Sequence, residues 1–253
     1  MVAMGWGVAF EDTYGQRLEA LLTERYPEVP DFEVINAGVP GWNLENELAY
    51  LMAEGYKYDP DLVLLDLTIV NDIYGKNATA PNERPAIIEW MRSNTHLWPF
   101  ISIQVQWIEA RADGKERISV IDPPVKPDSY FPSNPESEKW SEITGLIRRM
   151  NEFAGQNQMD FMVILFPLEH QVVDPGYSTL PQEVLARDFT DSGIAYIDLL
   201  DSYREACYSN PEDPCALEDY SLFADVWMHP SRLGNQITAG EILEAISPYI
   251  PKS

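Results

Sequence analysis

The chain has 253 residues, 45% of them hydrophobic and 11% aromatic, enough to bury a sizeable core without staples. Its 41 acidic against 17 basic residues leave a formal net charge of −24, which argues against nucleic acid, whose phosphates need a basic surface, and against anionic membranes. No uninterrupted run of about 18 apolar residues offers a membrane span, and the first residues do not form a signal peptide, so a soluble protein is expected, its compartment left open.

The first helix is expected from a cap at Asp12 or Thr13, with Leu18, Leu21, Leu22 and Tyr26 at helical spacing and Pro27 and Pro30 ending it. Phe32 to Asn36 reads as a short strand running into the sharp turn Ala37-Gly38-Val39-Pro40-Gly41. Asn43 caps a second helix (Leu44, Leu48, Leu51, Met52), which Gly55 closes. Asp61 to Leu67 is a nearly continuous apolar run, the mark of a strand covered on both faces.

Residues 73–136 break this rhythm and read as an insertion over the strand ends, either a lid or a packing excursion. It holds a polar loop (Asn77 to Pro85), a helical part about Pro99 (Trp90 to Ile108) and a stretch with five prolines (Asp122 to Pro135). Helix, strand, helix, strand and a last helix follow, near Glu136–Gln156, Phe161–Phe166, Pro181–Thr190, Ile194–Asp198 and Leu233–Ile246. The alternation predicts one α/β domain over 1–253: three layers, α/β/α, about a doubly wound, mostly parallel sheet. Cys207 and Cys215 flank a turn-rich loop and are either a disulfide or two free thiols; no zinc pattern exists.

In such a sheet, ligands bind beyond the carboxyl ends of the strands. Two strand ends carry suitable chemistry. Gly38 exposes a backbone N–H that no side chain blocks, and Asn71, in Val70-Asn71-Asp72, offers an amide donor. His229, one of three histidines, lies in Asp225-Val226-Trp227-Met228-His229-Pro230, just before the last helix. An imidazole on a short loop with a carboxylate near it is the usual setting of a general base. Each residue also has a plain reading: Gly38 as a turn glycine, Asn71 as a helix cap, Asp225 as a turn residue.

Taken in order, Gly5-Trp6-Gly7-Val8 with Glu11-Asp12-Thr13-Tyr14, then Val34 to Gly41, Val70-Asn71-Asp72 and Asp225…His229-Pro230 with Gly234 resemble the SGNH (GDSL-type) hydrolases. The likeness spans almost the whole chain, leaving 73–136 without a guide. It implies a flavodoxin-like SGNH fold and ester hydrolysis through an acyl-enzyme. Gly38 and Asn71 would be oxyanion donors, His229 the general base and Asp225 its orienting carboxylate. No metal or organic cofactor is implied, and the partner would be a small-molecule ester or an acylated glycan or lipid.

Two departures stand out. The family's nucleophile, the serine of a Gly-Asp-Ser block, falls on Met1 or just before it, and the strand that leads into that block is missing. Asp225 and His229 are also separated by three residues where the family usually has two, which makes Asp219 a substitute. The alternatives are a non-catalytic ligand-binding domain and an O-acyltransferase. The gap left by the first strand would be closed by residues ahead of Met1, by a swapped homodimer, or by direct pairing of the strands around Val34 and Leu64.

Overall fold

The computed structural model describes residues 2–29, 31–69, 131–209, 222–224 and 228–250. Helix α1 (Tyr14–Arg25) begins at Thr13, whose extended backbone leaves its hydroxyl to accept the Gln16 N–H. Helix α2 (Leu44–Ala53) opens on a capping box, in which the side chains of Asn43 and Asn46 each accept the other's backbone N–H. It stops at Ala53. Gly55 does not close it but starts a separate 3-10 turn (Gly55–Tyr58), and the left-handed residue is Asp59, with φ 53°.

Strand β1 (Leu62–Thr68) pairs in parallel with β2 (Asp160–Phe166), which pairs in parallel with β3 (Ala195–Asp198). Leu62 stands opposite Asp160 and Thr68 opposite Phe166; Met162 stands opposite Ala195 and Leu165 opposite Asp198. Five more helices complete the described chain: α3 (Glu138–Gln156), α4 (Glu169–Val173), α5 (Leu180–Ser192), α6 (Leu200–Tyr208) and α7 (Arg232–Ile246).

Strand alternation divides the core in two. Leu65, Leu67, Phe161, Val163 and Leu165 join the cluster with residues of α2, α3 and α5. Met162, Ile164 and Phe166 join the cluster with residues of α1, α6 and α7, and Leu62 and Leu64 pack against it. This is the expected three-layer α/β/α arrangement. Side chains as enclosed as Ile147, Phe189 and Ile242 each stabilise the fold by about 1.5–3 kcal/mol relative to exposure.

The structure departs from expectation elsewhere as well. Phe32–Asn36 is extended but belongs to no ladder; the Val34 N–H is taken by the Glu19 carboxylate at 2.8 Å. Among the described residues no strand lies beside it to accept a ladder, so β propensity has nothing to act on. Direct pairing with β1 is likewise not seen. Helix α6 was not anticipated, although Leu200, Tyr203 and Cys207 are spaced for one helical face and all three are buried. Cys207 is disulfide-bonded, so the free-thiol alternative falls away; Cys215 lies outside the described residues. The expectations for Asn77–Pro85 and Trp90–Ile108 also fall outside them. The end of that segment is described: Phe131 is buried in the α2–α3–α5 core, and the Trp140 indole donates to the Asn134 carbonyl.

Candidate active site

The chain before α7 folds back on itself. Phe223 and Pro230 form an antiparallel bridge. The Ala224 N–H donates to the His229 carbonyl at 2.7 Å and the Ser231 N–H to the Leu222 carbonyl at 2.9 Å. His229 sits on this clasp, 2% exposed, with Nε2 buried.

Two residues of α7 lock the clasp. Asn235, 1% exposed, donates to the carbonyls of Pro230 (3.0 Å) and Ser231 (2.9 Å) and accepts the Tyr14 N–H (2.9 Å). One buried amide therefore ties the His229 loop to the start of α1. Gly234 lets α7 approach: a β-carbon there would overlap the Leu222 carbonyl and lie 3.0 Å from the Pro230 β-carbon. Ser231 is the helix cap, its hydroxyl accepting the Gly234 N–H at 3.3 Å.

The N-terminal segment passes between this clasp and the turn after Asn36. The Trp6 and His229 ring centroids are 6.1 Å apart, with the planes tilted by 40°. Gly7, at φ 83°, packs where a β-carbon would lie 2.8 Å from that of Ala224. On the other side, a β-carbon on Gly38 would lie 2.8 Å from the Ala3 β-carbon and 3.0 Å from the Met4 nitrogen. Gly38 is thus a residue of close approach, at an ordinary φ. Its N–H donates to the Asn36 side-chain oxygen at 3.0 Å, while the Asn36 amide donates to the Ala3 carbonyl.

A half-buried carboxylate supports the same segment from β1. Asp66 accepts the Tyr14 hydroxyl at 2.8 and 2.9 Å, and the Ala3 N–H as well. Burial pushes its pKa up to about 6, against the lowering effect of those hydrogen bonds. The Tyr14 hydroxyl is raised well above the usual phenol value, first by burial and then by the Asp66 charge.

Of the expected site residues, His229 and Gly38 are thus brought to one N-terminal segment, His229 against Trp6 and Gly38 against Ala3 and Met4. Asn71, Asp225, Asp219 and Met1 lie outside the described residues. Asn36, Asp66 and Asn235 were not anticipated as parts of this region. Asn36 stood in the quoted motif, Asp66 was the one charge inside an apolar run, and Asn235 carried no signal. Among the described residues no group of three or more His, Cys, Asp and Glu side chains is placed to hold a metal ion.

No protein-family model matches the chain, and no curated protein matches it in sequence. Solved structures do match in shape. AlAXEase, an acetyl xylan esterase, shares 13% identity over 97% of this chain and 95% of its own, with a TM-score of 0.57. LAE5, an alpha/beta hydrolase enzyme from the metagenome of Lake Arreo, Spain, shares 14% over 99% and 90%, at 0.53. Axe2, an acetylxylan esterase from Geobacillus stearothermophilus, shares 15% over 93% and 81%, at 0.51. At such identities the likeness establishes a common fold.

Proposed function

We propose that this chain is an SGNH-type serine ester hydrolase whose parent substrates are acetyl or short acyl esters of a carbohydrate or lipid. The observation that carries the reading is the placement of His229 and Gly38 against one short N-terminal segment. The resemblance puts the nucleophile at the head of that same segment, on Met1 or just before it. The shared fold with acetyl xylan esterases supports the carbohydrate-ester side of the proposal.

In the proposed reaction a serine hydroxyl attacks the ester carbonyl while His229 removes its proton. Charge gathers on the carbonyl oxygen and is met by the Gly38 N–H and the Asn71 amide. The tetrahedral centre collapses, His229 returns the proton to the departing alkoxide, and an acyl-enzyme remains. Water, deprotonated by His229, then releases the acid and the serine. Asp225 orients the imidazole and stabilises its charged form. The Gly38 N–H can serve only after it leaves the Asn36 side-chain oxygen, which now stands where the substrate oxygen would.

The Gly38 N–H is already taken by the Asn36 side-chain oxygen, and that favours a second reading, a non-catalytic domain binding an acylated ligand in the same cleft. The experiment is turnover of p-nitrophenyl acetate by the 253-residue chain and by a form carrying a Gly-Asp-Ser block with a preceding strand. The hydrolase reading expects little turnover in the first and a rise of orders of magnitude in the second, since loss of a triad nucleophile costs about a millionfold in the best-studied case. No rise, with the fold intact, would leave the binding reading.

A further inference from the structure

We infer that Trp42, Tyr50 and Tyr58 form a platform for an extended, neutral oligosaccharide that carries the ester to Gly38. The inference rests on the hydrolase reading for the part played by Gly38, and it deepens that reading by choosing carbohydrate over lipid. Trp42 is placed by the turn that follows Gly38. Its N–H donates to the Val39 carbonyl at 3.3 Å, with Pro40 and Gly41 between them and Gly41 at φ 79°. Proline followed by a residue of positive φ makes a type II turn, which holds Trp42 within about 7 Å of Val39, Cα to Cα. The platform therefore starts beside the turn that presents the Gly38 N–H.

From there the rings follow α2. The Trp42 and Tyr50 centroids are 5.3 Å apart, with the planes tilted by 55°. The Tyr50 hydroxyl is hydrogen-bonded to that of Tyr58, the last residue of the 3-10 turn, which is 57% exposed. Trp42 and Tyr50 are half-buried, each keeping part of its surface in water. Exposed aromatic residues are ordinary when scattered, but a contiguous file of them marks a binding surface. Tyr56 lies close by in sequence yet stands outside the file, because its ring packs edge-on against Phe153 of α3 at 5.9 Å.

The chemistry of the file selects its occupant. Ring faces stack on the C–H faces of sugars while the polar tips of Trp and Tyr bond to sugar hydroxyls, so one side chain serves both needs. An acyl chain laid over the same rings would take their polar tips from water and return no hydrogen bond. Residues 42–59 hold four acidic side chains (Glu45, Glu47, Glu54 and Asp59) against one basic, and that one, Lys57, is tied to Glu54 at 2.9 Å. Such a border repels a uronate-bearing chain or an anionic lipid surface and leaves a neutral chain unopposed. A basic peptide would satisfy the border but has no reason to begin beside Gly38. A sugar chain has one, because the ester it carries must reach that N–H.

Binding measured without turnover tests this. The 253-residue chain should be retarded in native gels containing dissolved hydroxyethylcellulose and should give a measurable Kd for xylohexaose by calorimetry. Trp42→Ala and Tyr58→Ala should each raise Kd by at least about tenfold, whereas Tyr58→Phe, which keeps the ring, and Tyr56→Ala, off the file, should each raise it less than about threefold. Tyr58 is exposed enough that its alanine variant stays folded even if that of Trp42 does not. No binding of either glycan would overturn the proposal, and so would binding that survives Tyr58→Ala. Binding of hexalysine at these residues in place of the glycans would overturn it in favour of a basic peptide. The two readings fail separately. Glycan binding lost in the ring variants, with no esterase activity in the form carrying Gly-Asp-Ser, upholds the platform and sinks the hydrolase; esterase activity in that form without glycan binding sinks the platform alone.

Discussion

Gly234 meets the Leu222 carbonyl so closely that no side chain fits between them. The contact seats the His229 clasp on the first turn of α7, and the Tyr203 hydroxyl, bonded to the Gly234 carbonyl at 3.0 Å, closes it from α6. Ordinary helix propensity would favour alanine at this position by about 1 kcal/mol. Here the added methyl has backbone on one side and Pro230 on the other, and overpacking costs about 1–3 kcal/mol. Gly234→Ala should therefore lower the urea midpoint and shift the His229 ring signals; a midpoint above that of the parent chain would show that the clasp yields freely.

Asn235 makes three hydrogen bonds, two of them buried, that tie the clasp to α1. Asn235→Ala strands the Tyr14 N–H and the Pro230 carbonyl, and each buried unsatisfied group costs about 1–3 kcal/mol. The expected loss is about 2–4 kcal/mol in equilibrium denaturation. Asn235→Asp keeps the acceptor for Tyr14 but loses the donors, so it should fall between the two.

Asp66 gives stability a defined pH dependence. Its folded pKa, about 6, is above the ordinary value of 3.8, so the folded state holds the proton more tightly. Its contribution is then fully present below pH about 4, is lost as pH rises through about 6, and is constant above that. Relative to Asp66→Asn, the parent chain should lose on the order of 1–3 kcal/mol between pH 4 and 7. Parallel stability curves for the two proteins over that range would refute the assignment.

The disulfide at Cys207 anchors the end of α6 in the core that also holds Leu222 and Phe223. A native disulfide typically contributes about 2–4 kcal/mol. Cys207→Ser should lower stability by that amount under oxidising conditions. Under a strong reductant the parent and the variant should converge, as thermal denaturation would show.

Local chemistry in the sequence determined the elements whose signals are self-contained. Asn43 caps α2, Thr13 caps α1, and the apolar run Phe161–Phe166 is the central strand, because capping and two-sided burial act within a few residues. The motif order likewise brought His229 and Gly38 into view. Only the tertiary structure decided the rest. Phe32–Asn36 has strand composition but no ladder, since a strand exists through its neighbour and none is at hand among the described residues. Asp66 looked like a single charge in an apolar run until Tyr14 and Ala3, remote in sequence, closed around it. The meeting of Trp6 with His229 and of Asn235 with Tyr14 joins opposite ends of the chain, and packing at that separation leaves no trace in local periodicity.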